Sequence, residues 1–423
     1  MLTVKKTYLY EDDKPFFYLG DTAWLLFDKM KEEDTILYLK NRSSLGYNVI
    51  QSVLVYCVDG LNSGKPHKGR NVREKEYWHY VKKIVNYAKT LGLYFGLLPS
   101  WGSVVKDGLI NELNAKQYAS FLGEFFKECD NVIWILGGDV RGDTSINTFN
   151  ILGETLKKYN EDRLITFHPF GRTGSYLWFN EEKWLDFNMF QSGHRRYDQL
   201  TLGVWDDKAS NEDSFGEDNY KYVLKNKTYT TLRPILDGEP SYEGIVQGLH
   251  DSKEPYWEAR HIRRYLYWSI LEGACGFTYG NNAIMQFYEN SGVGSYGVRE
   301  TWKEALSAPG GAMMQYGKDL FLHYDFTKGE AHPEYVITQK ERHHRISVFS
   351  SDDYIICYDY KGDEFELSLD SFSGDFDGYW VNPENGSRSY FGSFKAKNHY
   401  KFRPIRRREI SNDWILILEK NND

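Results

Sequence analysis

Two acidic residues stand at the ends of short apolar runs: Asp139 closes Asn131-Val-Ile-Trp-Ile-Leu-Gly-Gly-Asp139, and Glu239 closes Pro234-Ile-Leu-Asp-Gly-Glu239. Each run is rich in β-branched or aromatic residues and stops at Gly beside a carboxylate, as a buried parallel strand does when it delivers a side chain to an active-site rim. Two carboxyl groups on one rim suit hydrolysis of a glycosidic bond. One protonates the departing oxygen, and the other works from the far side of the anomeric carbon. The two residues lie 100 positions apart, room for three βα units of roughly 30 residues in a (β/α)8 barrel. Asp139 is therefore expected at the end of strand 4 and Glu239 at the end of strand 7. Spacing leaves open a retaining geometry, with carboxyls ~5–5.5 Å apart, or an inverting one, at ~6.5–9.5 Å. Each residue taken alone also has a structural reading, Asp139 as a cap for a helix starting near Thr144 and Glu239 as the partner of an Arg.

Further polar and aromatic residues fall within or just after the other strand candidates: Asp21, Thr22 and Trp24; Gln51; Ser100 and Trp101; His168; Gln191 and His194; Tyr279, Asn281 and Asn282. Barrel sites are built at this end of the strands, so Asp21 and His168 are candidates to grip hydroxyls. Trp24 and Trp101 are candidates for a stacking floor. Asp237, two residues before Glu239, is expected on the same side of its strand but deeper, and Glu243 in the following loop could bind a hydroxyl. No metal site is expected, because strand 1 ends in Gly20-Asp21-Thr22 rather than His-x-His, and His168 and His194 make an incomplete ligand set. His343-His344 is expected to face solvent. The chain lacks Gly-x-Gly-x-x-Gly, Gly-x-x-x-x-Gly-Lys and Gly-x-Ser-x-Gly, so neither a nucleotide cofactor nor a serine-nucleophile elbow is implied, and no cofactor is expected.

The elements that must position these groups alternate at near-regular spacing. Strand candidates are residues 16–19, 48–55, 93–98, 132–136, 164–167, 187–190, 234–236 and 276–279. Helical apolar periodicity covers 32–45, 77–91, 115–127, 146–159, 257–271 and 298–316. The long, charged stretch 192–217 reads as an excursion on the catalytic face. Beyond it, short alternating runs at 335–338, 345–349, 354–358, 365–369 and 414–418, parted by turn residues, predict a β-sandwich. The expected domains are a (β/α)8 barrel over 1–325 and an all-β sandwich over 326–423.

A chain of 423 residues suits two cores. Aromatic residues make up 17%, which fits both core mass and a groove on which sugar rings stack. A net charge of −8 argues against a nucleic-acid partner; the one basic tract, Arg403 to Arg408, reads as a solvated edge. Cys57, Cys129, Cys275 and Cys357 are scattered and read as reduced thiols. The N-terminus lacks the apolar core of a signal peptide and no run approaches a membrane span, so a cytoplasmic location without a membrane partner is expected, with secretion the alternative if a leader has been removed. Oligomeric state is not readable.

Several stretches resemble the apiosidase-like glycoside hydrolases, glycoside hydrolase family 140 and its relatives: Phe17-Tyr-Leu-Gly-Asp21-Thr-Ala-Trp24, Leu45-Gly-Tyr-Asn-Val-Ile-Gln51, Gly137-Gly-Asp139, Gly238-Glu239-Pro240-Ser-Tyr-Glu243-Gly244, and Gly276-Phe-Thr-Tyr-Gly280-Asn281 running to Gln286-Phe287-Tyr288. They occur in order across the whole expected barrel. The resemblance implies a (β/α)8 catalytic domain followed by a β-sandwich, and cleavage of a glycosidic bond in plant cell-wall pectin. In members that act on apiose, that bond joins apiose to galacturonate. On the matching positions, Asp139 looks like the general acid/base and Glu239 like the nucleophile of a retaining enzyme. The expected partner is an oligosaccharide. The alternative reading is a non-catalytic carbohydrate-binding protein on a barrel scaffold.

Overall fold

The computed structural model describes residues 1–56, 75–199, 215–290, 294–404 and 411–421. Cys57, most of the predicted excursion and most of the basic tract lie outside the described residues.

Three short strands, β1 (Leu2–Lys5), β2 (Tyr8–Glu11) and β3 (Lys14–Phe16), form an antiparallel meander that the sequence reading missed. It buries Leu2, Leu9 and Phe16, and Phe16 packs on Tyr94 at the start of β6. The meander thus covers the N-terminal end of the barrel, opposite any site at the strands' C-terminal ends.

The barrel follows: β4 (Tyr18–Thr22), β5 (Val49–Val53), β6 (Tyr94–Leu98), β7 (Val132–Val140), β8 (Ile165–Pro169), the two-residue β9 (Thr173–Gly174), β10 (Asn188–Gln191), β11 (Ile235–Asp237) and β12 (Gly276–Tyr279), in the order β8-β7-β6-β5-β4-β12-β11-β10-β9. The eight long-range pairings are parallel except for β9, which runs antiparallel to β10. The seam between β8 and β10 is tied by Asp186 N–H to the Ile165 carbonyl (2.8 Å) and the Thr166 hydroxyl to the Phe187 carbonyl (2.6 Å). Strands such as Val49-Ile-Gln-Ser-Val53 are buried along their whole length, because helices cover the sheet outside and side chains fill it inside. The helix Lys75–Thr90 shows the matching pattern: Tyr77, Trp78, Val81, Ile84, Val85 and Ala88 recur at three and four and face the sheet. The first barrel strand begins two residues later than its apolar run predicts, since Phe16 belongs to the meander. The helix expected over 298–316 is two, Trp302–Ala305 and Pro309–His323. Pro309 sits in the first turn of the second, where its missing N–H costs nothing, and its ring ends any helix running into it.

The C-terminal part is all β: a six-stranded sheet of β13 (Glu330–Ala331), β14 (Ile346–Ser350), β15 (Tyr354–Asp359), β17 (Asp375–Val381), β18 (Arg388–Lys395) and β20 (Trp414–Lys420), with a pair formed by β16 (Phe365–Ser368) and β19 (His399–Phe402). Residues 335–338 are not a strand; a 3-10 turn, Pro333–Tyr335, leads to a single bridge from Val336 to Leu367. This part docks on the barrel helix Ala259–Ile270 through buried charge. Arg263 Nε and Nη2 each lie 2.7 Å from an Asp413 oxygen, Tyr358 donates to the same carboxylate, and Arg345 reaches Glu272 at 3.0 Å. Among the described residues, no helix is long and apolar enough to cross a membrane.

Asp21 lies in β4 but turns outward, away from the barrel mouth. Its Oδ2 accepts from Tyr38 Oη (2.5 Å) and Arg42 Nε (2.7 Å) on the helix Glu32–Ser44. Both members of this ion pair are fully buried. Removing one partner of such a pair strands the other charge, at a cost of ~3–5 kcal/mol. Asp21→Ala is therefore expected to lose about that much stability in urea unfolding; a variant that unfolds like the wild type but binds substrate weakly would restore Asp21 to the site.

Candidate active site

The local backbone explains why Asp139 reaches the barrel mouth. In β7, Gly137 pairs with His168 and Val140 with Pro169, so Gly138 and Asp139 bulge out of the ladder. All three residues of Gly137-Gly138-Asp139 have positive φ (84°, 108° and 54°). A side chain at Gly137 would meet the His168 carbonyl at 2.4 Å, so only glycine allows the turn. The bulge swings the Asp139 side chain into a cavity of about 270 Å³, which it shares with Glu239, Gln191, His194, Trp24 and Trp101.

Glu239 sits in the loop after β11, its backbone held by Gln51, whose Nε2 donates to the Gly238 carbonyl (3.3 Å) and to Thr278 Oγ1 (2.7 Å). His194 Nε2 lies 3.1 Å from Glu239 Oε1 and His168 Nε2 lies 3.1 Å from Oε2. The Asp139 N–H donates to His168 Nδ1 (3.3 Å). That nitrogen is therefore the acceptor, and the ring proton sits on Nε2, facing Glu239. One imidazole thus joins the backbone of one carboxylate residue to the side chain of the other.

The two carboxyl groups are driven apart. Asp139 is open to solvent at the cavity mouth, but the crowded walls around its carboxyl desolvate it, the nearby Glu239 charge raises it further, and the histidines and Gln191 oppose this only in part; its pKa is pushed up to about 6. Burial also acts to raise Glu239, but the imidazoles of His168 and His194 outweigh it and hold the carboxyl down at about 2. Between these values one group is an acid and its neighbour an anion, the arrangement that divides labour between two carboxyls.

Of the sequence candidates, Trp24, Trp101, Asp139, Gln191, His194 and Glu239 line the cavity. Trp101 stacks on Tyr56, with ring centroids 5.4 Å apart, to form an aromatic wall. His168 is buried behind Glu239 and packs edge-on to Trp24. Asp21, Gln51, Glu243, Tyr279 and Asn281 do not line the cavity. Glu243 accepts from Tyr279 Oη (2.5 Å) and from the Gly310 N–H (3.3 Å), pinning the N-terminus of the helix Pro309–His323. The Asn281 side chain accepts from the Ala283 and Ile284 N–H groups and caps a short helix. Asp237 faces Ser192 and Asn219 rather than Glu239's side, because β11 ends at Asp237 and its alternation does not carry on. Sequence reasoning missed Tyr56, Arg172, Arg195, Tyr242, His250 and Tyr296, which also line the cavity. Tyr242, three residues after Glu239, stood in a motif already singled out. Arg172, in the loop after β8, offered only a cation following a strand end. Among the described residues, no group of three His, Cys, Asp or Glu is placed to hold a metal ion.

A family model described as "Apiosidase-like, catalytic domain" matches residues 4–328, and one described as "Putative collagen-binding domain of a collagenase" matches residues 334–419. A solved structure named as a glycoside hydrolase is 35% identical, with 100% of this chain and 97% of that one covered and a TM-score of 0.92. A glycoside hydrolase family 5 protein from Bacteroides vulgatus ATCC 8482 is also 35% identical, with 99% and 93% covered and a TM-score of 0.91. An endo-1,4-beta-D-mannanase from Thermotoga petrophila RKU-1, 13% identical over 72% of this chain and 99% of its own, has a TM-score of 0.50 and shares the fold alone. No curated protein matches the chain.

If the imidazoles hold Glu239 ionised, His194→Ala should move its titration from about 2 towards the ordinary carboxylate value of ~4.3. Carboxyl carbon NMR across that range reads the shift, and an unmoved midpoint would remove His194 from the account.

Proposed function

The chain belongs to the apiosidase-like family of glycoside hydrolases, and we propose that it cleaves a glycosidic bond in acidic, pectic oligosaccharides with retention of configuration. The observation that carries this reading is that Asp139 and Glu239 line one cavity, with two imidazoles facing Glu239 at 3.1 Å; the opposite shifts of the two carboxyl groups agree with it. Glu239, ionised, attacks the anomeric carbon as the bond to the leaving oxygen breaks, and the proton of Asp139 passes to that oxygen. Water then attacks the same carbon, gives its proton to Asp139, and releases Glu239 as carboxylate. The Trp101–Tyr56 wall supplies a flat apolar face for a sugar ring.

Arg172 supports an acidic substrate. It lines the cavity with a backbone φ of 63° and has no ion-pair partner among the described residues. An arginine lining the cavity suits a substrate with the planar carboxylate of a uronate. A charge-assisted hydrogen bond of this type contributes ~1.5–3 kcal/mol. Arg172→Ala should then lower kcat/KM at least roughly tenfold on uronate-containing oligosaccharides while sparing neutral aryl glycosides. An equal loss on both would tell against a carboxylate contact.

The division of roles also sets the pH profile. Asp139 must be protonated, so kcat/KM is expected to fall on the alkaline side with an apparent pKa near 6. Activity should persist well into the acid range, because Glu239 stays ionised down to about 2. Asp139→Asn should cost ~10²–10⁴ in kcat, and Glu239→Gln should abolish turnover while remaining folded. Proton NMR of the first-formed product gives the stereochemistry; an inverted anomer would replace the nucleophile by a base.

A further inference from the structure

The segment that carries His194 runs from the barrel mouth straight to the C-terminal domain. Three residues after His194, the Tyr197 N–H donates to Glu217 Oε1 (2.9 Å), and its hydroxyl donates to the Asp218 carboxylate. Those two bonds tie together the stem of the 197–217 segment. Glu217, buried, is held in turn from both domains. Arg264 Nη2 of the barrel helix donates to its Oε2 at 2.6 Å, and His343 Nε2 of the C-terminal domain lies 3.0 Å from the same oxygen. His343 was expected to face solvent; instead its ring also packs on Tyr197 (centroids 5.1 Å apart) and on Tyr360 (5.5 Å). The Arg342 guanidinium covers the Tyr197 ring at 4.8 Å from its centroid. Arg342 does so from a left-handed backbone, φ 52°, a strain that persists only where surrounding contacts hold it.

We propose that the C-terminal domain is a working part of the active site: the turn Arg342–His344 clamps the stem at Tyr197 and Glu217, and so positions the His194 imidazole against Glu239. The proposal rests on the reading of Glu239 as the reacting carboxylate. On the barrel side, the His194 carbonyl accepts from the Gly248 N–H (2.8 Å) and from Trp257 Nε1 (3.2 Å). Those bonds fix one point of the segment. A rigid element needs a second, and Tyr197 supplies it within reach of a single turn of chain. His343 and Arg342 are thus positioning residues, acting on the chemistry only through His194.

Full-length His343→Ala and Arg342→Ala test this by amide hydrogen exchange and by turnover. In both, exchange in peptides covering 192–199 should rise at least tenfold, while peptides covering 49–53 and 94–98 keep wild-type protection. On any aryl glycoside or pectic oligosaccharide that the wild type cleaves, kcat should fall more than KM rises. His343→Gln should recover both readings, since its amide offers a donor to Glu217 and an acceptor to Arg264, whose Nη1 lies 2.9 Å from His343 Nε2. Unchanged exchange in 192–199, or a rise spread over the whole barrel in both variants, overturns the proposal. If the wild type cleaves no glycoside, the functional reading fails, and the exchange arm still decides the clamp.

Discussion

The structure turns on keeping the buried Glu239 carboxylate ionised beside Asp139, whose hold on its proton is strengthened. Burying a charge in a low-dielectric site is costly unless it is paired or hydrogen-bonded, and the Glu239 charge is met by two imidazoles at 3.1 Å. Those rings come from different strands, His168 from β8 and His194 from the exit of β10. Their convergence requires the barrel to be nearly closed at the seam where those two strands meet. The same seam brings the β7 bulge alongside β8, so His168 serves Asp139's backbone and Glu239's side chain at once. Closing the seam and differentiating the two carboxyls are one construction.

The bulge shows how a local cost is carried by the fold. Three consecutive residues with positive φ are unfavourable for any L side chain, and here the third is Asp139 itself. Two glycines absorb most of that cost. The remainder is held by the ladder on either side, Gly137 to His168 and Val140 to Pro169. Beneath it, Gln51 bonds across the barrel interior to the Gly238 carbonyl and Thr278, so the backbone next to Glu239 is fixed from the opposite wall. Precision at the rim is thus borrowed from polar groups buried in the barrel's interior.

The C-terminal sheets are joined to the barrel by two buried ion pairs, Arg263–Asp413 from the helix Ala259–Ile270 and Arg345–Glu272 just beyond its end. Arg263 and Arg264, adjacent in Ala259–Ile270, point to different partners, Asp413 of the last strand's approach and Glu217 of the barrel's own excursion. Such pairs add little net stability over an apolar contact of the same shape, but they tolerate only one docking geometry. A domain fixed in one orientation can support a neighbouring loop; one on a flexible tether cannot.

Much of this was legible in the residues alone. Buried parallel strands read as apolar runs, so the eight barrel strands were visible within a few positions, as were the residues at their ends, Asp139 and Glu239 among them. What could not be read was direction. A residue at a strand end faces the cavity or the helix layer according to register, and a shift of one position reverses it. Asp21, Tyr279 and Glu243 therefore stand at rim positions yet serve Arg42, one another and a helix terminus. Loop residues such as Arg172 and Tyr242 carry no periodic signal, and the exposed edge strand β18 lacks the alternation that marks a half-buried one. The composition of each strand is a local matter, set by side-chain burial and backbone preference. Which two carboxyls share a cavity, which imidazoles face them, and which protons they keep depend on distances between residues far apart in the chain, and only the closed tertiary structure decides those.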